Sequence, residues 1–171
     1  MTLQEKLDPF LKDMQSCIEK GQYYAALTVA LTLPDICASL DKNSFGNPPG
    51  ERYEKWMNQY FIHQNDYDQL LNPKDFYKLR CAYIHAGTDN IPTHNKSIAA
   101  RVRFTYGSNA FHKISIQYST ENIFVLYLPF FCQEMCESVK VFINDSNDNQ
   151  NITKNYEKIT TLLNTDDSFT I

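Results

Sequence analysis

Arg80 and His85, in the run Lys78-Leu-Arg-Cys-Ala-Tyr-Ile-His-Ala-Gly87, are the residues of this chain whose types and spacing most readily do chemistry. A guanidinium grips phosphate through a planar fork of donors, and an imidazole exchanges protons near neutral pH. Together they suit transesterification of RNA. The histidine moves the proton of the 2′-hydroxyl or of the leaving group, and the arginine meets the charge that grows on the phosphate. That reaction needs no metal and no cofactor, but it does need a 2′-hydroxyl, so DNA is not cleaved this way. Five positions on an α-helix leave the two residues about 140° apart. An ordinary i, i+4 pair is therefore not the reason for their spacing.

The elements that must position them are legible on either side. Asn72-Pro73 supplies an N-cap and a proline at the first helical position, with Asp75 in the first turn. Phe76, Leu79 and Tyr83 then share a face, and Ala86-Gly87 ends the helix. His85 falls in the last turn, where the helix dipole favours a protonated imidazole. Upstream, Leu3, Leu7, Phe10, Leu11, Met14, Cys17 and Ile18 repeat at helical spacing and Lys20-Gly21 closes that first helix. Tyr23 to Leu40 is apolar on almost every side, as in a helix buried within a bundle, and Pro34 is expected to kink it. Residues 43–50 (NSFGNPPG) form a loop, and Glu51 to Phe61 a third helix carrying Tyr53, Trp56, Met57 and Tyr60 on one side.

From Arg101 the period changes. Val102, Phe104 and Tyr106 alternate with polar neighbours, Gly107-Ser-Asn109 makes a turn, and Ile114, Ile116 and Tyr118 alternate again, which predicts a β-hairpin over 101–118. Ile123 to Phe142 has the apolar density of a fifth helix, with Pro129 bending it or delaying its start. The Asn/Asp-rich tract 144–151 reads as a linker, and Tyr156 to Leu163 as a loosely docked last helix. The expected architecture is mainly α: a helical domain over 1–143, a bundle of about five helices with one inserted hairpin, and a polar linker and tail over 144–171.

Composition bounds the rest. The 171 residues are 43 % hydrophobic and 13 % aromatic, enough for one folded domain with a sizeable core. Without an apolar run near the roughly 18 residues that span a bilayer, and with a polar start, the chain is expected to be soluble and cytoplasmic, with no membrane partner. Its five cysteines, an odd number scattered over apolar segments, then read as reduced thiols. The formal net charge of −4 excludes a general nucleic-acid coat protein. Yet Lys74 to Lys113 holds seven basic and two acidic residues, a local +5 that leaves −9 for the remainder and permits an anionic ligand there.

An Arg-x4-His motif, Arg80-Cys-Ala-Tyr-Ile-His85, closing a long helix in a small helical bundle resembles the HEPN superfamily (higher eukaryotes and prokaryotes nucleotide-binding). The resemblance covers Leu3 to Phe142 by helix order. It implies a metal-independent endoribonuclease, a toxin or antiphage effector, with Arg80 and His85 as the catalytic pair. It also implies a homodimer in which two such helices meet around one phosphate, RNA as substrate or ligand, and an antitoxin or regulatory protein as a further partner. Active members commonly carry Asn, Asp or His directly after the arginine, where this chain has Cys81. That leaves a second reading open: a catalytically silent HEPN-like module that binds nucleotide, RNA or a protein through the same cleft.

Other residues are weighed with two uses each. Asp35 either orients Arg80 or His85 or caps a helix that restarts after Pro34, because a buried carboxylate needs a partner. Arg52 with Tyr53 and Trp56 either lines a nucleic-acid groove or, for the two aromatics, fills the core. Tyr83, Arg101 and Arg103 are candidate RNA contacts, and His94 and His112 could extend the same basic patch, with solvated strand polarity as the commoner use. Cys132-x3-Cys136 has the spacing of two ligands on one helical face, but no second Cys/His pair accompanies it, so no metal is expected. Asn95-Lys-Ser97 and Asn151-Ile-Thr153 match the glycosylation triplet by chance in a chain with no export signal.

Overall fold

A computed structural model describes residues 1–91 and 100–162. The fold is mostly helical, in the order α1 (Leu3–Glu19), α2 (Tyr23–Ser39), α3 (Lys42–Phe45), α4 (Pro49–Met57), α5 (Pro73–Ala86), β1 (Arg101–Thr105), β2 (Ile114–Tyr118), β3 (Glu121–Tyr127), α6 (Leu128–Asp145) and α7 (Gln150–Asn155). Of the expected last helix over Tyr156 to Leu163 only a single 3-10 turn forms, Tyr156–Lys158, directly after α7, and the chain from Ile159 to Leu162 is not helical. Leu163, His94 and the Asn95 triplet lie outside the described residues.

Thr2 starts α1 with a capping box. Its hydroxyl accepts from the Glu5 N–H at 3.2 Å, and its own N–H donates to the Glu5 carboxylate at 2.6 Å. Leu3, Leu7, Leu11 and Met14 form the buried stripe. The central helix is α2, which packs on α1, α4 and α6 with Ala26, Leu27, Ala30, Leu31, Leu33 and Cys37 inside. It runs through Pro34 as one helix, so there is no restart for Asp35 to cap. The third predicted helix begins earlier, at Pro49, and ends in a wide π turn over Asn58–Ile62. That extra residue per turn brings Tyr60, Phe61 and Ile62 into the core in succession. There Trp56 and Tyr60 pack against Phe142 of α6, with ring centroids 6.1 and 5.3 Å away.

The expected hairpin over 101–118 is not what forms. The sheet order is β1-β3-β2, with β1 parallel to β3 and β2 antiparallel to it. The tight connection is Ser119-Thr120, between β2 and β3, where Ser119 takes φ 56°. Gly107, at φ 104°, does mark a turn, but the chain beyond it crosses to the far side of the sheet before pairing. The intervening strand was hidden because Ile123, Phe124, Val125 and Leu126 are buried in succession. A central strand covered on both faces has no alternation and reads like a buried helix. In consequence α6 starts at Leu128, five residues after the expected Ile123, with Pro129 in its first turn where a missing N–H costs nothing.

The stretch 144–151, expected to be a linker, instead ends α6 and caps α7. The Asn149 and Asn151 amides donate to the buried Asp41 carboxylate at 2.8 and 3.2 Å, and Ile152 reaches the core. Short polar side chains there bond to another element, which composition alone does not reveal.

Candidate functional site

The capping predicted for α5 is present in full. Asn72 accepts from the Asp75 N–H at 3.0 Å, Pro73 is the first helical residue, and Gly87 ends the helix at φ 64°, a left-handed C-cap. His85 stands in the last turn. Phe76 and Leu79 anchor the helix in the core and leave Arg80 on the side that faces α2.

There Arg80 Nε donates to Asp35 Oδ2 at 2.7 Å, and Nη1 lies 3.4 Å from His85 Nε2. The 140° separation about the helix axis is bridged by the length of the arginine side chain. An arginine offers only donors, so this contact holds when Nε2 carries a lone pair: the imidazole presents a base nitrogen to the guanidinium. His85 is exposed, and Nδ1 has no partner among the described residues. Asp35 and Arg80 are both partly buried. Burial pushes the Asp35 carboxyl above its ordinary value, and the charge and hydrogen bond of Arg80 offset part of that rise. Burial by itself would lower the Arg80 pKa, but Asp35 and Cys81 together more than reverse it, so the guanidinium stays charged.

Arg52 is close enough for its charge to act on Asp35, while its guanidinium donates to the Asn47 carbonyl. Beneath the ion pair lies Tyr53, fully buried, whose hydroxyl has no hydrogen-bond partner among the described residues. Burial raises its pKa well above the ordinary value, and Asp35 is the strongest of the charges acting on it. Tyr77, which a side chain at Gly50 would strike at 2.8 Å, is held above its usual range by burial and a hydrogen bond to Cys81. Asp35, Arg80 and His85 are thus brought together with Arg52 beside them. Cys81, read in the sequence only as a departure from a pattern, contacts Tyr77 and Arg80.

Tyr83, Arg101 and Arg103 gather elsewhere. They line a cleft of about 550 Å³ with Tyr24, Gly87 and Asp89, which neither Arg80 nor His85 lines. The Tyr83 hydroxyl donates to the Tyr24 carbonyl at 3.1 Å. Arg101 is paired with Asp89 at 3.7 Å and Glu121 at 3.1 Å, and Arg103 with Asp89 at 3.5 Å, so the charges of these two arginines are largely offset.

His112 is not part of such a patch. Its Nδ1 accepts from the Tyr127 N–H at 3.1 Å and its Nε2 lies 3.2 Å from Glu134, which also takes Lys113 at 2.6 Å and the Tyr67 hydroxyl at 2.8 Å. Trp56 is core, not groove. Cys132 and Cys136 are free thiols on α6, the former pushed up to about 12 by burial. Among the described residues no group of three or more His, Cys, Asp or Glu is placed to hold a metal ion. None of the described helices is long and apolar enough to cross a membrane. No protein-family model, curated protein or solved structure matches this chain.

Proposed function

We propose that the chain is a metal-independent endoribonuclease of HEPN type, cytoplasmic, and a toxin or antiphage effector held in check by an antitoxin or regulatory protein. What supports the reading is one observation: at the end of α5 a charged guanidinium is aimed by Asp35 at 2.7 Å and lies 3.4 Å from an exposed imidazole nitrogen. In the proposed reaction Nε2 of His85, released as the Arg80 guanidinium turns to the phosphate, takes the proton of a 2′-hydroxyl. The O2′–phosphorus bond forms, the phosphorus–O5′ bond breaks, and the leaving oxygen takes a proton from His85 of a second copy. Arg80 meets the charge on the phosphorane, and a homodimer surrounds one phosphate with two such pairs. The products are a 2′,3′-cyclic phosphate and a 5′-hydroxyl.

The catalytically silent module, binding nucleotide, RNA or a protein, is the second reading. Cys81, directly after Arg80 and in contact with it, favours it. The two are separated by incubating RNA with the protein in chelator-treated buffer. Cleavage that leaves cyclic phosphate ends, and that stops when the 2′-hydroxyl at the cleaved position is replaced, supports the nuclease. Cleavage that appears only on adding a divalent metal, or none with any RNA, overturns it.

A further inference from the structure

We propose that the free edge of β2 is a self-association surface, at which the strand pairs antiparallel with β2 of a second copy of this chain. The contact stands apart from the nuclease reading, which concerns the end of α5.

Three observations carry the proposal. The first is which backbone groups β2 leaves unpaired. Tyr118 and Glu121 flank the two-residue connection Ser119-Thr120 and so form a hydrogen-bonded pair, as do Ile116 with Ile123 and Ile114 with Val125 in alternation. The opposite side of β3 agrees, since the Asn122 carbonyl accepts from the Ala100 N–H at 2.9 Å on the β1 side. The N–H and C=O groups of Ser115 and Gln117 therefore point away from β3, toward an edge that no described strand covers.

The second observation is that nothing blunts this edge. Natural edge strands are protected by charge, proline or a bulge, and ISIQY has none of these. Its apolar side chains stand out of the fold instead: Ile114, Ile116 and Tyr118 are 38, 48 and 71 % exposed. They share a face with Ile123 and Val125, which are buried but lie outside the main core cluster.

The third observation selects the occupant. The sequence is self-complementary about Ile116. An antiparallel pairing centred there sets Ile116 against its own copy, Ile114 against Tyr118, and Ser115 against Gln117, so apolar meets apolar on one face and polar meets polar on the other. Ser115 and Gln117 of the two copies then exchange their outward hydrogen bonds. Charges at the ends of the strand are already taken, Lys113 by Glu134 and Glu121 by Arg101. A charged foreign segment finds no counter-charge on the strand, whereas an uncharged copy of β2 needs none.

The test is hydrogen exchange at the Ser115 and Gln117 amides, read across a dilution series alongside sedimentation velocity. The expected result is protection of both amides that rises with protein concentration together with the larger species. Ile116→Lys sets like charges opposite each other and should abolish both effects. Gln117→Pro removes one outward donor without touching the β2–β3 ladder, and should abolish the protection of Ser115 and the larger species. Circular dichroism of each variant, unchanged from wild type, shows that the sheet survives. Amides that exchange alike at every concentration, or protection that persists in folded Ile116→Lys, overturn the proposal. An assembly through α5 alone leaves the two amides unprotected and counts against it too, while bearing separately on the nuclease.

Discussion

At the end of α5 and in the segment before β2 the same three groups meet: a carboxylate, a cation and a histidine. Asp35, Arg80 and His85 make one cluster, and Glu134, Lys113 and His112 the other. They differ in what they leave over. In the second cluster His112 accepts from the Tyr127 N–H through Nδ1, so it is the neutral tautomer donating from Nε2 to Glu134, and both nitrogens are spent. Glu134 Oε1 takes His112 and Lys113 while Oε2 takes Tyr67, and Lys113 also donates to the Asn65 carbonyl and lies 4.5 Å from the centre of the Tyr67 ring. Its histidine and carboxylate are only 13 and 16 % exposed. That cluster ties β2, α6 and the π-turn segment together. The α5 cluster keeps an exposed imidazole with one nitrogen free among the described residues, next to a guanidinium not fully used by its carboxylate. The same chemical types brace the fold where their bonding capacity is spent and offer chemistry where it is not.

The largest expected effect separates the histidines. On the proposed nuclease reading, His85→Ala lowers RNA cleavage by about 10² to 10⁴-fold and leaves the melting temperature in place. Arg80→Lys recovers little over Arg80→Ala, because an ammonium lacks the fork. His112→Ala does the reverse: it cleaves like wild type but loses about 1–3 kcal/mol of stability, since the part-buried Tyr127 N–H loses its acceptor and Glu134 Oε1 is left with Lys113 alone. Cleavage assays and urea denaturation on the two alanine variants check this. Equal cleavage by His85→Ala and wild type breaks the comparison at its root.

Next come the carboxylates. Glu134→Gln leaves Lys113 without its counter-charge in a mostly buried site and costs about 3 kcal/mol. Asp35→Asn removes a carboxylate whose burial already outweighs what Arg80 returns, so the stability change stays within about 1 kcal/mol. Cleavage nonetheless falls by about 10²-fold as the guanidinium loses its aim. Denaturation midpoints and single-turnover rates of the two variants decide the matter, and a large stability loss in Asp35→Asn makes that pair a brace like the other.

How much of this was legible in the sequence follows from how local each signal is. The caps of α5 and the place of His85 rest on side chains bonding within one turn, and Asn72, Pro73, Asp75 and Gly87 announce them. Asp35 was a candidate because a carboxylate in an apolar helix needs a partner, but the choice of Arg80 over a cap came from the packing of α2 against α5. The sheet was misread because a central strand has no alternation to display, and because β1 pairs with a strand some twenty residues further on. Of the second cluster only His112 stands out in the sequence, and as strand polarity: Tyr67, Lys113 and Glu134 lie far apart, and no local spacing joins them.

A smaller effect concerns pH. Burial alone would raise the Asp41 carboxyl, but hydrogen bonds from Ser44 and Asn149 and from the backbone N–H groups of Ser44 and Asn43 outweigh it and hold it below its ordinary value. The fold thus prefers the ionised form. The stability this contributes is present above the ordinary aspartate range, near pH 4, and is lost as pH falls through the depressed value. Asp35 is shifted the other way, so its contribution rises as pH falls through its raised value. Denaturation between pH 6 and pH 3 should therefore show a flatter acid loss in Asp41→Asn than in wild type and a steeper one in Asp35→Asn. Parallel curves for all three proteins contradict both shifts.

The smallest effect has a sign that sharpens the comparison most. Tyr53 and Tyr67 are both fully buried phenols, each beside the carboxylate of one cluster. Tyr67 donates to Glu134 at 2.8 Å, so Tyr67→Phe removes a made hydrogen bond to a charged group and should cost about 1.5–3 kcal/mol. Tyr53 donates to nothing among the described residues, and its hydroxyl was desolvated without return. Tyr53→Phe removes that penalty and keeps the ring, which packs on Tyr77 at 5.5 Å, and should stabilise by about 1 kcal/mol, or roughly 2–4 °C. One chemical change made at two sites is then expected to move the melting temperature in opposite directions. Were Tyr53→Phe to destabilise as Tyr67→Phe does, the phenol would be spent in a bond and the α5 cluster as closed as its counterpart. A rise with Tyr53→Phe and a fall with Tyr67→Phe instead locate the unspent bonding capacity of this molecule around Asp35 and Arg80.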